Sequence, residues 1–511
     1  MLVMNYLKQH LDNKSLILIF RGVVVGLLSG LIVGSFRWLI EISLRFWQKG
    51  FRLAHTNWTI LLGGLILVLI ISLILAKFLH DEPHIAGSGI PEVEIQLQGQ
   101  LTLNWWSILW RKYVGGVLAI GSGLFLGREG PSIQLGSSIG QGIAEQTNLN
   151  KTNTRILIAS GAAGGLAAAF NAPIAGTMFV LEEVFHNFSV RVWLSSLSAA
   201  LAANFVTSTI FGLQPVLAIS HQTYFPLSSY WTLLVLGIFL GLFGLLYQKV
   251  LLLMPHLYAR IKFIPTSLNG LVPLLLLLPL GYFAPELLGG GNNLILDLNT
   301  AKETTLLLFG VFLLRFVFSM ISYGSGLPGG IFLPILTLGA VLGALFGNIL
   351  VVLHLISPTM IPSLIIFAMA GYFAGIGKAP FTAILLITEM VGNLANLMPL
   401  AIVSLVAYIV VDLFKGAPIY ESLADKMMLP TSAQFSGKTD QLTLTIVPES
   451  HLVGQPVKTI HWPKNTLLIK ITRGTKALIP DGSTILRAGD FVTFVVPYQQ
   501  RLTVRKKIER M

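Results

Sequence analysis

The sequence predicts an all-α polytopic membrane domain followed by a small β-rich soluble module. Three observations carry that prediction. Of 511 residues, 54% are hydrophobic and only 11% charged, and the mean hydropathy is +0.76, whereas a soluble domain carries about a quarter charged residues. Residues 192–248, 316–377 and 390–411 contain no Lys, Arg, Asp or Glu, so each supplies one or more apolar spans of about 20 residues. Beyond about Thr431 the composition turns polar, rich in Ser, Thr, Lys and Asp.

The residue inventory excludes several chemistries. With no cysteine, disulfides, thiolate metal sites and cysteine nucleophiles are ruled out. The ten histidines are scattered without a metal-ligand pair at helical spacing, so no metal or cofactor is expected. The net charge of +12 is what cytoplasmic Lys and Arg give most inner-membrane proteins, and calls for no nucleic-acid partner. Lys8, Asp12 and Lys14 precede the apolar run from Ser15 with no cleavage site following, so the N-terminus reads as uncleaved. Arg505, Lys506, Lys507 and Arg510 make the C-terminus basic, whereas 214–230 holds no charge. Both termini are therefore expected in the cytoplasm, although Arg45, Lys49 and Arg52 between two early spans fit this poorly.

The chain also repeats itself. Residues 121–140 (GSGLFLGREGPSIQLGSSIG) and 324–343 (GSGLPGGIFLPILTLGAVLG), laid together at an offset of 203, agree at nine of twenty positions, among them Gly127/Gly330, Pro131/Pro334, Gly136/Gly339 and Gly140/Gly343. Pro173 and Glu182 recur as Pro380 and Glu389 at an offset of 207. Apolar segments interrupted by Gly and Pro at matching places in two halves point to a transporter with its site near the bilayer midplane. Whether the halves run parallel or inverted is not legible in the matches.

Three interruptions share one design: Gly87-Ser88-Gly89-Ile90-Pro91, Gly127-Arg128-Glu129-Gly130-Pro131 and Gly330-Ile331-Phe332-Leu333-Pro334. Glycine permits an irregular backbone and proline suits the first turn of a helix, so each reads as a loop opening into a helix N-terminus. Such ends present free N–H groups and partial positive charge, and they attract anions. Several converging on one cavity would hold an anion weakly, without a buried Lys or Arg, as conduction requires.

These three motifs in order, followed by Tyr420 in GAPIY, resemble the selectivity-filter elements of the CLC family of chloride channels and exchangers. The likeness runs from about Ser15 to Leu429. It implies an inverted-repeat fold of tilted, broken helices, a homodimer with one chloride pathway per subunit, and a place in a bacterial inner membrane. It further implies that the hydroxyls of Ser88 and Tyr420 and the N–H groups of Ile331 and Phe332 coordinate chloride, and that Glu129 is the gate and external proton carrier. Plainer readings are a helix cap for Ser88, an interfacial anchor for Tyr420 and a helix-dipole partner for Glu129. Lys112 falls where the family has a basic residue, though snorkelling explains it nearly as well.

Glu182 and Glu183 end the apolar run 172–181. Glu182 is expected to pack or cap. Glu183 matches the internal proton-relay glutamate of CLC exchangers, where many CLC channels carry an apolar residue, with Glu92 and Glu94 as expected neighbours. The resemblance thus implies proton-coupled chloride exchange; the alternative is a passive voltage- or pH-gated chloride channel of the same family.

The membrane domain is expected over 1–429, with halves of roughly 15–211 and 228–429, then a linker over 430–437. A cytoplasmic β-rich module follows over 438–511. Its strand signals are 442–446, 467–471 and 491–496, and its turn signals Pro480-Asp481-Gly482 and Ala488-Gly489-Asp490. Trp462-Pro463, Arg473-Gly474 and these turns resemble the C-terminal subdomain of regulators of potassium conductance. A potassium transporter would suit that module, but the membrane part lacks a TVGYG-like carbonyl filter. A serine hydrolase at a GSG motif would need a base, and no histidine is suitably placed. Nitrate and fluoride remain as other anions. Nitrate-preferring relatives tend to carry proline where Ser88 stands, and fluoride exporters depart from the GREGP pattern.

Overall fold

A computed structural model describes residues 13–217, 225–261, 264–298, 304–428, 439–447, 450–473, 476–497 and 500–509. Lys8, Asp12, the linker 430–437, Gly474 and Arg510 lie outside the described residues, as does part of the loop 214–230. By its internal contacts the chain divides into two compact units, Met1–Ala424 and Asp425–Met511.

The first unit is helical. Its first half runs α1 (Asn13–Ala54), α2 (Thr59–Asp81), α3 (Ile90–Leu97), α4 (Trp105–Gly121), α5 (Glu129–Gln146), α6 (Lys151–Phe170), α7 (Pro173–Phe179) and α8 (Val190–Phe211). Its second half runs α9 (Trp231–Tyr258), α10 (Leu271–Phe283), α11 (Asn292–Leu298), α12 (Thr305–Gly324), α13 (Phe332–Val352), α14 (Ile361–Gly377), α15 (Pro380–Val391), α16 (Leu397–Leu413) and α17 (Ile419–Met428). Among the described residues, nine helices are long and apolar enough to cross a membrane. Lengths are uneven: the 42-residue α1 extends about 63 Å at 1.5 Å per residue, far more than the hydrocarbon core, so it has length to cross at a tilt or to extend beyond it. The 8-residue α3 and 7-residue α7 reach only part-way. Every residue of α3 is buried, the kind of surrounding in which non-helical backbone at membrane depth is tolerated, whereas Ile174 at the start of α7 is half exposed.

Small residues let α5 and α6 approach closely. A Cβ built on Gly136 would lie 2.0 Å from the Gly161 carbonyl oxygen, and one on Gly140 2.0 Å from that of Leu157. Lipid tails are as apolar as Leu, so such contact rather than hydrophobic segregation holds these helices together. The equivalent α13–α14 packing is looser: Gly339 and Gly343 would meet the carbonyl oxygens of Ala368 and Leu364 at 2.9 and 2.7 Å.

The two halves meet at equivalent residues. Gly127 N–H donates to Gly330 O at 2.7 Å and Gly330 N–H to Gly127 O at 2.6 Å, a two-residue antiparallel bridge that pairs positions offset by 203. The turns ending α6 and α14 also match, with Asn171 and Lys378 both left-handed at φ +54° and +57°.

In the second unit, β1 (Thr439–Thr445), β2 (Leu467–Arg473), β3 (Lys476–Leu478) and β4 (Phe491–Pro497) form an antiparallel sheet in the order β1-β4-β2-β3. The helix α18 (Arg501–Glu509) buries Val504 and Ile508 with Leu442, Ile471, Val492 and Phe494. The expected strands are present; β3 and α18 were not anticipated. Arg473 grips Asp490 with two bonds, Nε to Oδ1 at 2.8 Å and Nη2 to Oδ2 at 2.7 Å. That pairing, foremost, holds the Asp490 carboxyl below the usual carboxylate range.

Candidate functional site

All three Gly–Pro motifs open into helices. Ile90 begins α3, Glu129 begins α5 and Phe332 begins α13, so their first-turn N–H groups have no intrahelical partner. Gly87 and Gly89 have φ of +55° and +82°, a backbone that a side chain would strain. The Gly127–Gly330 bridge joins the second and third motifs directly. Arg128, Glu129 and Gly130 therefore adjoin Ile331, Phe332, Leu333 and Pro334, and a Cβ on Gly330 would lie 3.2 Å from Gly130 N.

Ser88 is buried and its Oγ accepts from Ile90 N–H at 3.3 Å. The N-cap of α3 is Gly89 rather than Ser88, and a serine hydroxyl that accepts one bond can also donate. Tyr420 is wholly buried and its hydroxyl has no protein partner, so it is not an interfacial anchor. It packs edge-on to Phe179, 6.1 Å between centroids. Phe179 in turn meets Phe332 at 5.8 Å, and Phe332 meets Phe170 at 5.3 Å and Phe373 at 4.3 Å. Tyr420 is within electrostatic reach of Glu129, Glu183 and two further buried phenols, Tyr247 and Tyr323. The Tyr323 hydroxyl lies beside Ser88. Its position one residue before the end of α12 carries no motif that indicates this.

Glu129 is buried and neither carboxylate oxygen makes a hydrogen bond of good geometry. Beside it, Arg128 Nη1 donates to Glu41 Oε1 at 2.8 Å and Arg37 Nε to the same oxygen at 3.1 Å. These groups line a cavity of about 360 Å³ with Arg45, Glu286, Leu126 and Leu333.

Glu183 is also buried, with Oε1 unpartnered, on a π-helical turn over Val180–Val184. Glu94, Glu182, Glu421 and Lys378 face it. Of the two expected acidic neighbours Glu94 is there, whereas Glu92 faces Lys112 instead. Nor does Lys112 snorkel. Its Nζ is buried and donates to the carbonyl oxygens of Ile85 and Gly87 at 2.9 and 2.8 Å, bracing the loop that carries Ser88. A surround free of buried cations is thus corrected twice. Arg315 is buried as well, donating to the carbonyl oxygens of Gly289 and Leu287, both at 2.9 Å.

Glu182 caps, but across the repeat: its carboxylate accepts from the N–H groups of Phe381 and Thr382 at 3.2 and 2.8 Å, at the start of α15. Glu389 reciprocates, accepting from Ile174 and Ala175 at 3.1 and 2.8 Å at the start of α7. Sequence matching found Glu389 as a repeat partner without indicating its role, because the helix it caps lies more than 200 residues away in the chain.

A family model described as voltage gated chloride channel matches residues 67–412, and one described as TrkA-C domain matches 442–509. The chain is 36% identical over 463 residues to the H(+)/Cl(-) exchange transporter ClcA of Vibrio campbellii, covering 84% of this chain and 92% of that protein. It is 35% identical over 448 residues to ClcA of a Vibrio cholerae strain, covering 82% and 91%. Among solved structures, a slow cyanobacterial Cl-/H+ antiporter is similar at TM-score 0.76 and 31% identity, over 82% of this chain and 99% of that one. A CLC-type fluoride/proton antiporter is similar at TM-score 0.64 and 25% identity, over 77% and 94%.

Proposed function

The chain belongs to the CLC family of voltage-gated chloride channels and transporters, and on that premise we propose that it exchanges chloride for protons across a membrane. One observation carries this reading: two buried carboxyls with unpartnered oxygens, Glu129 and Glu183, both lie within electrostatic reach of the unpartnered Tyr420 hydroxyl. A passive pathway has no need of a second buried acid, and leaving such a group unpaired is costly.

In this mechanism the hydroxyls of Ser88 and Tyr420 and the N–H groups of Ile331 and Phe332 hold chloride without a full positive charge on it. Ionised Glu129 competes for the helix N-termini; once protonated it is a poor acceptor and swings outward, admitting an anion. Glu183 passes protons to the opposite side. The chain acts as a homodimer with one pathway per subunit, in a bacterial inner membrane with both termini cytoplasmic. The module after the linker over 430–437 is regulatory in type.

The test is paired chloride and proton flux in liposomes at a clamped potential. Exchange requires protons to move uphill when only a chloride gradient is imposed; chloride movement without them would make the protein a channel.

A further inference from the structure

The cavity beside the gate motif is lined by three arginines and two glutamates, Arg37, Arg45, Arg128, Glu41 and Glu286. Glu286 is bonded to Arg52 at 2.5 Å. Arg45 donates to the backbone oxygen of Glu41 at 3.2 Å. Glu41 is left as the carboxylate serving both Arg37 and Arg128, and it does so through one oxygen.

This is not a loose surface pair. The side chains of Arg37 and Arg128 are only 12% and 11% exposed. Each keeps a buried nitrogen without a partner, Nη1 of Arg37 and Nε of Arg128. Arg37 is further fixed by stacking on Phe211 of α8, 4.1 Å from the ring centroid. Both arginines act electrostatically on the Glu129 carboxyl, and Arg128 is its chain neighbour. Arg315, whose Nη1 approaches Gly291 of the cavity lining, donates through Nη1 and Nη2 to backbone oxygens.

We propose that Glu41 is a positioning residue of the gate, a counter-charge that holds Arg128 and Arg37 away from Glu129 and from the arriving anion. The inference rests on the exchanger reading above and adds a residue which that reading does not require. Two cations and one acid leave the triad at +1, enough to favour an anion near the gate without trapping it. Remove the acid and two guanidiniums, each with an N–H to spare, lose their shared acceptor and act more strongly on Glu129. A role confined to packing α1 against α5 would change stability alone.

The experiment is exchange by the purified full chain in liposomes, with external and internal pH varied separately. Glu41→Gln takes the triad to +2, and its external acid limb should move about one pH unit toward acid while the internal-pH limb stays in place. Arg37→Gln takes the triad to zero and should move the limb the other way; it also carries the test if Glu41→Gln does not fold. Glu41→Asp should stay near the parent, and the double variant Glu41→Gln with Arg37→Gln, again at +1, should return toward it. An external profile unchanged in a folded Glu41→Gln or Arg37→Gln, or shifted by both in the same direction, overturns the proposal. Failure of the exchanger reading shows separately, as a parent chain that moves no protons on a chloride gradient.

Discussion

The two halves of the membrane unit are built on one plan but carry different chemistry. Where they coincide, the residues are scaffold. Gly127 and Gly330 exchange backbone bonds, and Glu182 and Glu389 cap each other's partner helix. The glutamates assigned a role stand where the halves differ. At the offset of 203, Arg128 and Glu129 face Ile331 and Phe332; at 207, Glu183 faces Met390. On the proposed reading the first half contributes both carboxyls and Ser88, and the second contributes backbone donors and Tyr420. Symmetry sets the frame, and on the proposed reading departures from it install the proton chemistry.

The largest expected effect comes from erasing such a departure. Glu183→Met copies its counterpart and should abolish proton movement while chloride still flows, read as paired fluxes in liposomes. Equal loss of both would make Glu183 part of the scaffold.

A second test probes unequal packing. Gly136→Ala pushes a methyl into the Gly161 carbonyl, whereas Gly339→Ala meets its neighbour nearly an ångström farther off. Overpacking of this kind costs about 1–3 kcal/mol, with Gly136→Ala at the upper end and Gly339→Ala at the lower. Thermal unfolding in detergent with equal losses would remove the packing difference.

For the symmetric caps, Glu182→Gln and Glu389→Gln should each cost about 2 kcal/mol, since each weakens charge-assisted bonds to two N–H groups. Proton coupling should survive in the folded fraction of both. Coupling lost only in Glu182→Gln would make that residue more than a cap.

The β-rich module has no symmetric partner and supplies the smallest effect. A carboxyl whose folded value is depressed, as Asp490's is, adds stability that is present above its unfolded value near 4 and lost as pH falls through the folded value. Protection of the strand amides of the intact chain from hydrogen exchange, taken relative to their intrinsic rates at each pH, should therefore fall below about pH 4. Asp490→Asn should lower that protection already at neutral pH, by about 1–2 kcal/mol, and flatten the acid dependence.

Helix starts were legible because glycine and proline impose them locally, and the repeat because those residues recur. Pairings between distant segments were not. Glu41 reads as an ordinary helix acid four residues after Arg37 until α5 brings Arg128 to it. Lys112 reads as a snorkelling side chain until the carbonyls of 85–87 close around it. The helix α18 carries its only signal in Val504 and Ile508, four residues apart at a basic chain end.

The most direct test of the account is paired flux by Glu129→Gln beside the parent chain, from acidic to neutral pH. The amide imitates the protonated gate at every pH, so chloride flux should be passive, nearly independent of pH and free of proton coupling. A variant that still drives protons uphill on a chloride gradient, or keeps the parent's pH dependence, would contradict Glu129 as both gate and carrier.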